Sequence, residues 1–306
     1  MINRALIRLK VVQLIYAYYH NEGKTTEVAL KELDYSLNKS YDLYLTLLAF
    51  LLEIREIAQR KSELRARNST RAGVAGCDAL LAANRFLCQL ADNRTLQEWQ
   101  KNQKFTWVTE EAFVKRIYTK WMDDEVFAAY ADRTSHDYED DRELVRKLYK
   151  NHIVGNDDFD PVLEDLSLYW NDDKEIIDSF VLKTIKRFDP ANGAEQELLP
   201  AYNAQEDHDF ARTLFVTTIE KCAELRDLMA KYSKNWDLSR MAFMDVIIIQ
   251  IALAEIMAFP SIPLNVSFNE YIDIAKVYST PNSYKYVNGM LNNITKNLQE
   301  TGAIHK

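Results

Sequence analysis

Three bases and no acid occupy the first 21 residues, since Arg4, Arg8 and Lys10 all precede the first carboxylate, Glu22. On a helix Arg4 and Arg8 share a face, whereas Lys10 falls about 200° from Arg8, so the three make a basic end rather than a stripe. Near the other end of the chain, Ser283-Tyr284-Lys285-Tyr286-Val287-Asn288-Gly289 opens a helix with a hydroxyl, a base, two aromatics and an amide together. Helix N-termini attract phosphate and aromatic rings stack on unpaired bases, and these are the contacts that single-stranded RNA needs. The plainer readings are a solvated helix end and core aromatics.

Catalytic chemistry has no comparable signal. The five histidines, His20, His136, His152, His208 and His305, are scattered, with no H-E-x-x-H motif and no cysteine nearby to complete a zinc ligand set. The acidic clusters Asp123-Asp124-Glu125, Asp140-Asp141, Asp157-Asp158 and Asp172-Asp173 lack the spacing of a calcium loop, and each stands near an expected helix start, where acids favour the macrodipole. No serine lies in a G-x-S-x-G elbow. Cys77, Cys88 and Cys222 are odd in number and widely spaced, which reads as three reduced core thiols in a reducing compartment. The expectation is a protein that is not an enzyme, with no metal and no cofactor.

The elements that must carry these residues are helices. Seven Gly and six Pro in 306 residues leave few turns and long segments, and they leave no glycine cluster for a phosphate-cradling loop, so a Rossmann or P-loop enzyme is excluded. Apolar residues recur at helical spacing over 3–20, 25–37, 40–67, 77–101, 109–132, 138–152, 160–170, 173–187, 206–232, 239–258, 264–278 and 283–299. Ser40, Thr109 and Ser283 stand where N-caps would. The segment from Val246 to Phe259 is apolar on nearly every side and is expected to be the central buried helix; Gln250 and Glu255 interrupt it, and it is too short to span a membrane. Gly289 sits inside the last helix, where another backbone or a ligand would have to approach closely. A faint echo relates Tyr169–Asp172 to Asn235–Leu238.

Charge is distributed unevenly. The net charge of −8 argues against coating nucleic acid through bulk positive charge. From Arg55 to Arg71 there are six bases and two acids, whereas from Met122 to Phe180 there are 18 acids and six bases. Such a chain could bind RNA through one face and a protein through another.

Arg8-Leu-Lys-Val-Val-Gln-Leu-Ile-Tyr16, Asp245-Val-Ile-Ile-Ile-Gln-Ile-Ala-Leu-Ala-Glu255, Ile262-Pro-Leu-Asn-Val-Ser-Phe-Asn-Glu270, Ile274-Ala-Lys276 and Ser283-Tyr-Lys-Tyr-Val-Asn-Gly289, in this order, resemble the NusB family of bacterial transcription antitermination proteins. The resemblance covers residues 1–20 and 206–299 and implies an all-α, NusB-like helical bundle without catalytic activity. It implies binding of the boxA element of ribosomal RNA operon transcripts, a single-stranded RNA, together with the small ribosomal protein NusE. It further implies an RNA polymerase elongation complex with other Nus factors, in the cytoplasm and not at a membrane.

By the same resemblance, Arg4, Arg8 and Lys10 would contact phosphates, Tyr16 and Tyr286 would lie against bases, and Ser283, Lys285 and Asn288 would donate hydrogen bonds. Gly289 would let the two ends pack closely, and Glu255 would lie at the ribosomal-protein interface. Departures stand at Ala5-Leu6-Ile7, where the family has more arginine, at Gln250 and Ala254, and at Asn282, where an aspartate is common. The expected organisation is a first helix over 1–20, an inserted all-helical region over 21–205, the bundle core over 206–299 and a tail over 300–306. The inserted region's basic run, Arg60 to Arg71, would extend the RNA surface or recruit another factor. The alternative is a helical protein-protein interaction module that keeps the fold with little RNA affinity, its acidic middle serving a basic partner. An attached methyltransferase has no room for its α/β domain.

Overall fold

A computed structural model describes residues 1–21, 24–68, 76–103, 107–170, 172–202, 205–232 and 241–306. Arg71, Gly73 and most of the echoed segments, Asn171 and Asn235–Leu238, lie outside them. Among the described residues the chain is all-helical, and extended pairing is confined to one bridge between Ile2 and Tyr202. No described helix is long and apolar enough to cross a membrane. Two compact units form: one holds Ile2–Asn38 with Tyr202–Lys306, the other Lys39–Ala201 with Met1.

Helix α1 (Arg4–His20) is capped by Asn3, whose side chain accepts from the Leu6 amide at 2.9 Å. Helix α2 (Thr26–Asn68) is continuous where the sequence suggested a break. No Gly or Pro stands between Leu37 and Ser40, and the Ser40 hydroxyl donates to Asp173 instead of capping. The reverse correction applies downstream. Asn84 and Asn93 divide the expected 77–101 helix into α3 (Cys77–Ala82), α4 (Arg85–Asp92) and α5 (Arg94–Lys101), accepting from the Leu87 and Leu96 amides at 3.0 and 3.1 Å. Asp124 likewise accepts from Val126 at 2.7 Å between α6 (Glu111–Met122) and α7 (Glu125–Ala131). Thr109 lies within a 3-10 turn, Trp107–Glu110, and Glu110 rather than Thr109 precedes α6.

Helices α8 (Tyr138–His152), α9 (Asp160–Leu166) and α10 (Lys174–Arg187) complete this unit, α8 opening on a capping box of Asp137 and Asp140. Phe50, Trp107, Phe113 and Phe159 form its aromatic core, with ring centroids 4.7 to 6.5 Å apart. Residues 39–201 carry 23 Lys and Arg against 30 Asp and Glu.

The other unit is a bundle of α1, the first turns of α2, α11 (Gln205–Glu220), α12 (Cys222–Tyr232), α13 (Phe243–Ala258), α14 (Leu264–Tyr278) and α15 (Ser283–Glu300). Its centre is α13, which packs against α1, α11, α12, α14 and α15 and buries Ile247, Ile248, Ile249, Ile251, Leu253 and Ile256 around its whole circumference. The bundle takes in more chain than the sequence suggested. Ala29, Leu33 and Leu37 of α2 are buried, and Asp34 pairs with Arg212 of α11 at 2.8 Å. The last residues pack too, with Ile304 buried and the Lys306 ammonium donating to the Phe259 and Ile262 carbonyls at 2.8 and 2.9 Å. The cysteines are free but not core: Cys77 is exposed, and Cys88 and Cys222 are half-buried.

Candidate nucleic-acid interface

Apolar side chains go right round α1, where Leu6, Ile7, Leu9, Val11, Val12, Leu14 and Ile15 are all buried, so its bases have little open surface. Arg8 is 2% exposed, and its guanidinium donates from Nε and Nη2 to Glu255 Oε2 and Oε1 at 2.7 and 2.9 Å. Glu255, fully buried on α13, also accepts from the Ser267 hydroxyl at 2.7 Å and the Tyr271 hydroxyl at 2.9 Å, and Glu270 approaches Arg8 at 3.4 Å. Burial alone would lower the pKa of Arg8, but the hydrogen bond and charge of Glu255 outweigh it and raise the value. Burial, and then the charge of Glu255, hold the Tyr271 hydroxyl well above its ordinary value.

Of the two residues expected at a phosphate and at a partner, the Arg8 guanidinium is paired inside the bundle and Glu255 is buried against it. Lys10 is also buried. Arg4 remains at the surface, its side chain 41% exposed, 3.7 Å from Asp207 and 5.0 Å over the Phe210 ring.

At the start of α15, Ser283 is the first helical residue and Asn282 is the cap, at φ 75°. Asparagine suits that left-handed conformation better than most side chains. The buried Ser283 hydroxyl donates to Asp245 Oδ2 at 2.9 Å, and Ser279 donates to Oδ1 of the same carboxylate, so one aspartate latches α13 to the end of α14 and the start of α15. Ser283, expected to donate to RNA, donates here to Asp245 within the bundle. Lys285 and Asn288 are exposed, and the Lys285 and Lys276 ammoniums lie 5.7 and 5.9 Å from the Tyr284 ring centroid. Tyr286 is half-buried, and burial, with Asp245 adding to it, pushes its hydroxyl up to about 12, so it stays neutral.

The two aromatics singled out by sequence lie on one short segment. Tyr286 reaches the Met241 sulfur with its hydroxyl at 2.9 Å, and the Tyr16 ring stands 5.8 Å from that of Phe243. The structure thus brings Tyr16 and Tyr286 to one segment, leaves Lys285 and Asn288 exposed on α15, and buries Arg8, Lys10 and Ser283. Sequence reasoning gave no role here to Phe243 or His20, and it named Tyr284 and Lys276 in motifs without assigning either a contact. Phe243 was legible only as an aromatic at the start of an otherwise aliphatic helix.

Gly289 is exposed in α15, and a Cβ added there would meet nothing within 4 Å, so no close approach of another helix explains it. Gly289→Ala is accordingly expected to stabilise the free protein by about 0.5–1 kcal/mol in thermal melts, because the alanine loses less backbone entropy in a helix.

Residues 182–296 match the model of the NusB family. The chain is 34% identical over 132 residues to the transcription antitermination protein NusB of Salinibacter ruber, covering 41% of this chain and 82% of that protein. It is 32% identical over 120 residues to the NusB of Bacillus pumilus, covering 39% of this chain and 92% of the relative. A 38% match to the NusB of Chloroherpeton thalassium runs over 98 residues, 32% of this chain and 46% of that one. These relatives are named for transcription antitermination, not for an enzymatic reaction. No solved structure matches the chain significantly.

Proposed function

The chain belongs to the NusB family, and from that premise we propose that it is an RNA-binding antitermination factor acting on ribosomal RNA operon transcripts. Its RNA is a single-stranded element of the boxA type, bound together with the small ribosomal protein NusE. The complex joins other Nus factors on elongating RNA polymerase, in the cytoplasm. The observation that carries this reading is the convergence of Tyr16 from α1 and Tyr286 from α15 on the 241–243 segment, with Lys285 and Asn288 exposed on the same helix as Tyr286. Aromatic faces stack on bases, and Lys285 and Arg4 supply charge for phosphates. The Arg8–Glu255 pair positions α1 rather than touching the ligand.

A second reading, a protein-protein interaction module with little RNA affinity, draws support from the burial of Arg8 and Lys10, which leaves Arg4 as the accessible base of α1. A salt-series titration with boxA-type and scrambled RNA, each with and without NusE, separates the two. Antitermination predicts tighter binding of the boxA-type strand, tightened again by NusE, with Lys285→Ala lowering the salt slope by about 0.7, the share of one phosphate on a single strand. Equal, weak binding of both RNAs by the wild type would overturn the RNA reading in favour of a protein ligand.

A further inference from the structure

We propose that His20 and Phe243 extend Tyr16 into an aromatic ledge on which unpaired bases of single-stranded RNA stack. The Tyr16 and His20 rings are stacked at 4.2 Å with 26° between their planes. Phe243 stands edge-on to both, at 5.8 Å and 61° from Tyr16 and at 5.0 Å and 80° from His20. These rings are not core. Tyr16 and Phe243 are 38% and 39% exposed, and His20 is exposed as well. Phe243 is the first residue of α13, a helix whose interior positions are filled by isoleucines, so its ring is not needed to complete the apolar centre.

The three rings hold one another in place, and His20 Nδ1 lies 3.0 Å from the Tyr16 carbonyl oxygen, which fixes the imidazole further. Binding on such a surface costs little additional side-chain entropy. Nucleobases are the fitting occupant for two reasons. The ledge carries polar edges, a hydroxyl and an imidazole, on flat faces, which suits stacking better than aliphatic packing. It is also continuous with the proposed RNA surface: Met241, which receives the Tyr286 hydroxyl, is two residues from Phe243, and Lys285 beside Tyr286 supplies positive charge.

The inference rests on the RNA-binding reading and is tested so that the two can fail separately. The full chain is titrated with boxA-type RNA carrying 2-aminopurine, comparing wild type, Phe243→Ala, His20→Ala, Phe243→Tyr and Lys285→Ala, with circular dichroism confirming that each is folded. The ledge predicts that Phe243→Ala weakens binding at least about fivefold and reduces quenching of the 2-aminopurine, with the salt slope unchanged and Phe243→Tyr restoring affinity. His20→Ala should weaken binding in the same direction. Wild-type affinity and quenching in Phe243→Ala and His20→Ala, while Lys285→Ala still binds less tightly, would overturn the ledge and leave the RNA site standing. No binding of RNA by the wild type would overturn both.

Discussion

Glu255→Ala will destabilise the bundle by about 3–5 kcal/mol, because it leaves the Arg8 guanidinium charged, buried and without its bidentate partner. The Ser267 and Tyr271 hydroxyls lose their acceptor in the same stroke. Glu255→Gln keeps an acceptor oxygen but removes the charge, and it should fall between the alanine variant and the wild type. Replacing both partners, as in Arg8→Met with Glu255→Leu, removes both desolvation penalties and is expected to recover most of the loss. Urea denaturation of the four proteins measures this. A loss below about 1 kcal/mol in Glu255→Ala would mean that water reaches the pair, and the structural assignment of Arg8 would be wrong.

Ile251→Lys has the larger expected effect, since Ile251 is fully buried on the helix that packs against α1, α11, α12, α14 and α15. The substitution forfeits about 1.5–3 kcal/mol of apolar burial and adds several kcal/mol for an unpaired internal charge, which together exceed the margin of a typical domain. The milder Ile251→Val should cost only about 0.5–1.5 kcal/mol and stay folded. Hydrogen exchange reports the difference: amides of α13 should lose protection in the lysine variant and keep it in the valine variant. Native protection in Ile251→Lys would contradict the central position of α13.

What was legible in the sequence follows from what periodicity can carry. The apolar circumference of Val246–Phe259 announced a central helix because a helix with no polar side must be covered on all sides. The same logic applies to α1, and it decides the fate of its bases. Arg4 and Arg8 share a face by spacing, yet one is at the surface and the other is paired 247 residues away, a partner that no local pattern contains. Glu255 could be matched to a family position, but its burial depends on Ser267, Tyr271 and Arg8 meeting it from two other helices. Boundaries failed where a side chain decided them: Asn84, Asn93 and Asp124 cap new helices inside apolar runs, whereas Ser40 spends its hydroxyl on Asp173 and lets α2 continue. Phe243 drew no role because one aromatic in an aliphatic helix reads as core until its exposure is seen.

The most direct test of the central claim is zero-length ultraviolet crosslinking of boxA-type RNA to the full chain, followed by mass spectrometry of the crosslinked peptides. The account predicts crosslinks within residues 11–20, 241–246 and 283–292, which contain Tyr16, His20, Phe243, Tyr284 and Tyr286. Crosslinks confined to residues 39–201, with none in those three segments, would contradict it.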